Sequence, residues 1–181
     1  MNNPLVSICI PTYNSDKYLV QCLDTIKAQT YKNVEVILSD NGSIDSTLAI
    51  IKEYCNQSNW TYSVNDENIG ALSNFNKLIG LANGDFIAIY HADDLYDSCI
   101  VESTVNLLLE HNSVFAVGTM ANVIDEDGTP VSRYVLPDGI DSSVAIDISA
   151  CVEGIVSICK DTDSEMHQLF ITPSIMVRKS A

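Results

Sequence analysis

Phe86-Ile87-Ala88-Ile89-Tyr90-His91-Ala92-Asp93-Asp94 is the stretch on which the fold turns. Five apolar residues in a row read as a strand buried on both faces, the kind found in parallel sheets. Two adjacent carboxylates follow at its carboxyl end. They cannot both stay buried and ionised without a counter-charge. A hard divalent cation, Mg²⁺ or Mn²⁺, is the simplest one, because such ions take carboxylate oxygens. In open α/β sheets the ligand crevice lies outside the carboxyl ends of the strands, so a metal there points to a phosphate-bearing ligand.

Working outward, the same grammar repeats. Leu5–Ile10 is a β-branched apolar run, expected to end at Pro11. Asn14-Ser15-Asp16 can cap a helix carrying Tyr18, Leu19, Cys22, Leu23 and Ile26 at helical spacing. Val34–Leu38 is a second strand, closed by the turn residues Ser39-Asp40-Asn41-Gly42-Ser43, where Gly42 can take a positive φ. Asp45–Tyr54 reads as helix, Trp60–Val64 as a short strand, and Leu72, Phe75, Leu78, Ile79 and Ala82 mark a third helix. Gly84-Asp85 turns into the opening strand. Ile100, Val101, Thr104, Val105, Leu108 and Leu109 mark a fourth helix, capped at Asp97 or Ser98. The order βαβαβαβα predicts an α/β fold, Rossmann-like, with a mostly parallel sheet and helices on both faces. Beyond it, Phe115–Ile124 predicts a strand, Asp125-Glu126-Asp127-Gly128 a hairpin turn, and Val131–Leu136 the returning strand. Residues 137–170 read as loop and helix, and Ile171–Val177 as one more strand.

Composition narrows the function. The 181 residues suffice for one domain, and no linker divides them. A net charge of −15 disfavours non-specific nucleic-acid binding and docking on anionic lipid. Six cysteines, at 9, 22, 55, 99, 151 and 159, form no C-x-x-C pair and fit free thiols in a reducing cytosol. No apolar run approaches the roughly 20 residues that cross a bilayer, and the opening Met-Asn-Asn-Pro lacks a signal-peptide pattern. The expected location is cytoplasmic, or peripheral to the inner face of the membrane in a longer parent protein. Dinucleotide, P-loop, nucleophile-elbow and zincin motifs are absent from the sequence.

The parallel-sheet rule gathers Pro11–Asn14, Asp40–Ser43, Glu67–Gly70 and His91–Asp94 at one rim. Tyr13 can stack on a base, and Thr12 and Asn14 offer hydrogen bonds; an ordinary strand-to-helix turn would hold the same residues. Asp40 can accept the imino proton of a uracil or guanine ring, or cap a helix. Asn68-Ile69-Gly70, Asn74 and Lys77 open the third helix, and helix N-termini and lysines suit phosphate; capping and solvation are the plain alternatives. His91 reads as a supporting strand-end histidine.

Taken in order, these pieces resemble family 2 glycosyltransferases of the GT-A fold. Val6–Asn14 and Val36–Thr47 look like the family's opening. Asn68-Ile69-Gly70, Asn74, Gly84–Ile87 and His91-Ala92-Asp93-Asp94 continue the match, and Pro173–Ala181 looks like a late strand. The resemblance implies a nucleotide-diphosphate-sugar donor, with UDP the expected carrier and dTDP and GDP open, and a sugar or lipid-linked acceptor. Pro11, Tyr13 and Asp40 would hold the base, Thr12 and Asn14 would line the pocket, and Asp93 would meet ribose or metal. Asp94 would coordinate Mg²⁺ or Mn²⁺. Asn68, Gly70, Asn74, Lys77 and His91 complete the expected donor site. Inverting, metal-dependent transfer in polysaccharide or glycolipid synthesis is implied. His91 stands where many relatives have the first Asp of D-x-D. In relatives the base lies in a Glu-Asp pair downstream of the Pro-Ser…Arg-Lys segment, and no such pair follows here. The chain is thus expected to be the donor-binding portion of a longer enzyme: one GT-A-type domain over 1–181, with 1–112 the nucleotide-sugar half and 113–181 the incomplete start of the acceptor half. The rival readings are a nucleotide-sugar-binding module without catalysis, and a doubly wound signalling domain. The latter wants a phosphoacceptor Asp near mid-chain and a lysine on a later strand. A nucleotidyltransferase would want a Gly-rich basic loop after the first strand.

Overall fold

In a computed structural model, described here for residues 3–133 and 175–179, the chain builds eight strands and four helices. They run β1 (Val6–Thr12), α1 (Asp16–Lys27), β2 (Val34–Asp40), α2 (Thr47–Ser58), β3 (Thr61–Val64), α3 (Ala71–Leu81), β4 (Phe86–Ile89), α4 (Ile100–Glu110), β5 (Ala116–Val117), β6 (Asn122–Ile124), β7 (Pro130–Arg133) and β8 (Ile175–Arg178). The main sheet has the order β3-β2-β1-β4-β8-β5. β1 pairs in parallel with β2 and β4, and β2 with β3. β8 is antiparallel to both β4 and β5, so the sheet is mixed at that edge.

Alternation along the strands sorts the core into two layers. Val6, Ile8 and Ile10 of β1 face Leu19, Leu23 and Ile26 of α1, Ile51 of α2, and Val101, Val105 and Leu108 of α4. Cys9, Ile37 and Ile87 point the other way, onto Leu78 of α3 and Ala82 just after it. Helices therefore cover both faces, as the helical spacing in the sequence predicts. Fully burying each such aliphatic side chain contributes on the order of 1.5–3 kcal/mol. Cys9, Cys22 and Cys55 are buried free thiols within these layers, and Cys99 is free and exposed. None of the helices among the described residues is long and apolar enough to cross a membrane.

Several local expectations are corrected. β1 runs past Pro11 to Thr12, in register with β2 to Thr12↔Asp40. The missing Pro11 N–H costs nothing there. The odd residues of β1 bond toward β4, where Tyr90 N–H donates to the Cys9 carbonyl, and that pairing ends at Cys9↔Ile89. The single strand predicted over 115–124 is two strands in different sheets: β5 pairs with β8, while β6 pairs with β7. Gly118 lies in the break, where a glycine gives the ladder no side chain to pack. The hairpin turn at 125–128 is as expected, with Gly128 at φ +81°. The predicted ends of the returning strand (134–136) and of the last strand (171–174), and all of 137–170, fall outside the described residues.

Capping at the head of α1 also differs. Ser15 makes no capping bond to its own helix. Instead the two helix starts cap each other. Asp45 accepts the Asp16 N–H at 3.2 Å and the Thr47 N–H at 3.0 Å, while Asp16 accepts the Ser46 N–H at 3.2 Å. The Ser15 N–H donates to Thr47 Oγ1 at 2.7 Å. Each acidic group thus sits at the positive end of the neighbouring helix. Before α4 the expected cap at Asp97 or Ser98 is corrected: the cap residue is Cys99, which makes no side-chain capping bond, and Asp97 accepts the Cys99 N–H at 2.9 Å in the turn that precedes the helix. At the other end of the sheet, the Arg178 guanidinium donates to the Val114 and Leu108 carbonyls and Lys179 Nζ to the Ala82 carbonyl. These bonds tie β8 to the ends of α4 and α3.

Candidate nucleotide and metal site

The carboxyl ends of β1, β2 and β4 open onto a cleft of about 490 Å³. Of the residues expected to bind donor, Pro11, Thr12, Tyr13, Asn14, Asn68, Asn74, His91 and Asp93 line it. Asp40, Gly70 and Lys77 do not, and neither does Asp94. Residues far apart in sequence therefore meet at one place, while four of the expected group are not among its lining.

Each lining residue is held by a bond that explains its position. Asn14 has φ +48°, a backbone region that asparagine tolerates better than most residues. Its Oδ1 accepts the Ile44 N–H at 3.0 Å, and its own N–H donates to Ser43 Oγ at 2.9 Å. Asp40 is buried, and its carboxylate accepts both the N–H and the hydroxyl of Ser43. A chain of contacts thus runs from Asp40 through Ser43 to the cleft wall at Asn14. Tyr13 is about half exposed, with its ring free at the rim. Thr12 is buried, and its hydroxyl donates to the Ser39 carbonyl at 3.2 Å.

At the floor a network of amides joins the expected Asn68 and Asn74 to Asn41 and to Asn65, the last of which the sequence did not single out. Asn41 Oδ1 accepts from Asn65 Nδ2 at 2.9 Å and from the Ile69 N–H at 3.0 Å; Asn41 Nδ2 donates to Asn68 Oδ1 at 2.9 Å. Asn74 Oδ1 accepts from Ser39 Oγ at 2.6 Å and Asn65 Nδ2 at 3.1 Å, and Asn74 Nδ2 donates to the Ser39 carbonyl at 3.0 Å. Lys77 Nζ donates to Asn65 Oδ1 at 2.6 Å, which turns the lysine into this network. Gly70 starts α3 at φ +84° with open space around it, so backbone conformation rather than room requires glycine. Gly42 requires both: at φ +74°, an added Cβ would sit 2.8 Å from the Glu67 carbonyl carbon. The β2 and α3 loops touch at that point.

The acidic end of β4 forms the other wall. One ligand atom each from His91, Asp93 and Asp94 lie within 4.8 Å of one another. Partial burial and the Asp93 charge push the Asp94 carboxyl above the ordinary carboxylate range, while His91 pulls it down. The pair is therefore short of positive charge, which is the condition a divalent cation relieves. Two side chains missed in sequence hold this loop. The Tyr96 hydroxyl accepts the His91 N–H at 2.7 Å and donates to the His91 carbonyl at 3.3 Å. Its ring stacks on Tyr90 with centroids 3.9 Å apart. Cys22 Sγ donates to the same carbonyl at 3.3 Å. Burial, with Asp94 and Asp93 nearby, pushes that thiol up to about 12, so it stays protonated as a donor. Tyr96 carries a signal in its position, an aromatic five residues past His91, but its partners are backbone atoms and leave no motif.

The chain is similar to known proteins in sequence and in fold. A family model for glycosyl transferase family 2 matches residues 7–146. Glycosyltransferase GlyG of Streptococcus pneumoniae is 33% identical over 125 residues, covering 68% of this chain and 42% of that protein. The chain thus spans less than half the length of this curated relative. Among solved structures, Staphylococcus aureus TarS 1–349 superposes with a TM-score of 0.72 at 22% identity, covering 97% of this chain and 47% of that one. The same protein is also known in complex with UDP, with a TM-score of 0.67 to this chain. A mannosyltransferase of Pyrobaculum calidifontis, in complex with GDP-Man and Mn²⁺, superposes with a TM-score of 0.60 at 24% identity, over 69% of this chain and 37% of that one. These structural likenesses give the fold: an α/β sheet of the GT-A type. The extent of the family match gives the rest, and the chain belongs to glycosyl transferase family 2.

Proposed function

We propose that this chain binds a nucleoside-diphosphate sugar together with Mg²⁺ or Mn²⁺, and that it presents the sugar for transfer, with inversion, to an acceptor hydroxyl. The observation that carries the reading is that His91 and Asp93, which line the cleft with Tyr13 and Asn68, each bring a ligand atom within 4.8 Å of one from Asp94. An acidic, charge-deficient cluster beside an exposed aromatic ring matches the two ends of a nucleotide diphosphate.

In this reading Tyr13 stacks on the base, with Pro11 and Asn14 shaping the slot. Asp40 takes part in one of two ways: through Ser43 it fixes Asn14, or its carboxylate swings to the base. Asn68, Asn74, Lys77 and Gly70 set the start of α3, whose N-terminus faces the phosphates. Asp93 and Asp94 would hold the cation, which when bound supplies positive charge against the leaving diphosphate. UDP is the proposed carrier, with GDP and dTDP the alternatives; TarS with UDP and the mannosyltransferase with GDP-Man are fold relatives that support a nucleotide in this place. Residues 1–112 are the proposed donor half, and the chain from 113 onward contributes to the acceptor side. The acceptor is a sugar or lipid-linked sugar of surface polysaccharide or glycolipid, and the proposed location is cytoplasmic.

A thermal-shift screen of UDP, GDP and dTDP, each with Mn²⁺ or with EDTA, tests the reading. At 100 times Kd the bound state gains about 2.7 kcal/mol, or roughly 5–11 °C for a domain of this size. A shift that needs both nucleotide and metal supports it. No shift with any nucleotide, or shifts identical in EDTA, refutes it.

A further inference from the structure

Lys77 is not among the residues that line the cleft, yet a row of three amides joins it to the wall. Its Nζ donates to Asn65 Oδ1 at 2.6 Å, Asn65 Nδ2 donates to Asn41 Oδ1 at 2.9 Å, and Asn41 Nδ2 donates to Asn68 Oδ1 at 2.9 Å. Every link runs in the same direction. That direction is forced, because an ammonium and a backbone N–H can only donate. The Lys77 ammonium fixes the oxygen of Asn65, the Ile69 N–H fixes that of Asn41 at 3.0 Å, and the Gly70 N–H fixes that of Asn68 at 2.9 Å. No amide in the row can turn over without setting donor against donor. The row ends at Asn68, which lines the cleft with its oxygen already taken and its Nδ2 without a partner among the described residues. The cleft therefore meets this asparagine as a donor only.

The root of the row carries a charge. Lys77 is half-buried, and no carboxylate among the described residues pairs with it. Asn41 and Asn65 are buried, so water competes little for the bonds between them. Hydrogen bonds in series polarise one another in such surroundings, and three amide dipoles aligned head to tail carry the positive end of the row outward. A donor polarised in this way gains most from an ionised acceptor, since hydrogen bonds to charged oxygens are the stronger ones. Resting on the nucleotide reading above, we infer that Lys77 is a positioning residue that acts on the ligand through Asn65 and Asn41, holding Asn68 as a donor-only contact for an anionic oxygen of the diphosphate without touching the ligand itself. A neutral residue at the root removes the charge behind the amides. An acidic residue at the tip keeps the inward bonds and reverses the outward sign.

The test compares ligands with and without phosphate on the full chain. Calorimetry at low salt measures UDP, GDP and inorganic pyrophosphate with Mg²⁺, and uridine and guanosine as the phosphate-free partners. One unit charge acting along such a row, over roughly 12–18 Å at an effective dielectric near 20, is worth about five- to tenfold in affinity. Lys77→Met should weaken the diphosphates that bind the wild type by that factor and leave the nucleosides unchanged, and Lys77→Arg should restore the loss. Asn68→Asp keeps the oxygen that Asn41 and Gly70 need, so it should melt near the wild type yet bind the same diphosphates about tenfold more weakly or worse. In ¹⁵N-labelled wild type, the Asn68 side-chain amide protons, identified by their absence in Asn68→Asp, should move downfield with the diphosphate that binds and not with its nucleoside. Diphosphate binding with those protons unmoved, or an equal diphosphate affinity in folded Lys77→Met, overturns the inference and leaves the nucleotide reading standing. No binding of any diphosphate to the wild type overturns both.

Discussion

Asn74→Ala should cost this domain about 3 kcal/mol, and the figure follows from what its amide touches. The side chain is 2% exposed and makes three hydrogen bonds: from Ser39 Oγ, from Asn65 Nδ2 and to the Ser39 carbonyl. Two of the three partners keep another bond after the truncation. The Ser39 carbonyl still accepts from Thr12 Oγ1, and Asn65 Nδ2 still donates to Asn41. Ser39 Oγ is different. It is fully buried, it already accepts from Ser63, and its own proton loses its acceptor. The two replaceable bonds are worth about 0.5–1.5 kcal/mol each, and the orphaned hydroxyl adds roughly 1–3 kcal/mol. At about 2–4 °C per kcal/mol the melting point should fall by some 6–12 °C. Urea unfolding of the wild type, Asn74→Ala, Ser39→Ala and the double variant gives the answer. The double variant should be less damaged than the sum of the singles by about 1 kcal/mol or more, because the orphan no longer exists. A loss below about 1 kcal/mol in Asn74→Ala, or strict additivity, would refute the claim that this amide joins α3 to β2.

Three further outcomes are expected. Gly84→Ala should destabilise severely or prevent folding, because its Cβ would lie 2.6 Å from the Ser7 nitrogen and 2.7 Å from the Leu5 carbonyl, both backbone atoms; recovery of a soluble protein melting near the wild type would contradict this. Burial pushes the Glu35 carboxyl up, but hydrogen bonds from Ser7, Asn83 and Gly84 outweigh it and hold the group below its ordinary value. Its contribution is therefore present above the usual carboxylate range and lost as pH falls through the lowered value, so the gap in urea midpoint between wild type and Glu35→Gln should narrow from pH 7 to pH 3; a gap constant with pH sinks the assignment. Tyr96→Phe keeps the stack on Tyr90 but removes both hydroxyl bonds to His91, and should lower stability by about 1–2 kcal/mol and weaken Mn²⁺-dependent nucleotide binding in calorimetry. Unchanged values for both would show that the hydroxyl positions nothing.

Most of the sheet and its helices could be read from the sequence because each element carries its own period. The run 86–90, the stripe Leu19, Cys22, Leu23 and Ile26, and the stripe Val101, Val105 and Leu108 each point to a single packing face. The parallel order then forces the strand ends, and hence the cleft, to one side. What escaped was whatever depends on partners distant in sequence. Pro11 reads in sequence as a strand end, yet its tolerance within β1 depends on where β4 stops pairing. The 115–124 segment reads as one strand, yet its halves are claimed by different partners. In the site, the residues facing the cleft were readable from their place at strand ends. The supports were not: Asn41, Asn65, Ser43 and Tyr96 work through backbone or amide partners 24 or more residues away, or through a loop that only the fold closes. Asp40 and Lys77 have the chemistry of ligand groups, with capping and solvation as the plain alternatives, and in the structure both bond inward, to Ser43 and Asn65.

A crystal of this chain soaked with Mn²⁺ and the nucleotide that gives the largest thermal shift, with data collected to show the manganese anomalous signal, is the decisive measurement. The account predicts one strong peak within bonding distance of Asp94 and at least one of Asp93 and His91, next to a diphosphate, with the base against Tyr13. A fully occupied nucleotide elsewhere on the surface, or a cleft without anomalous density at saturating metal and nucleotide, would contradict it.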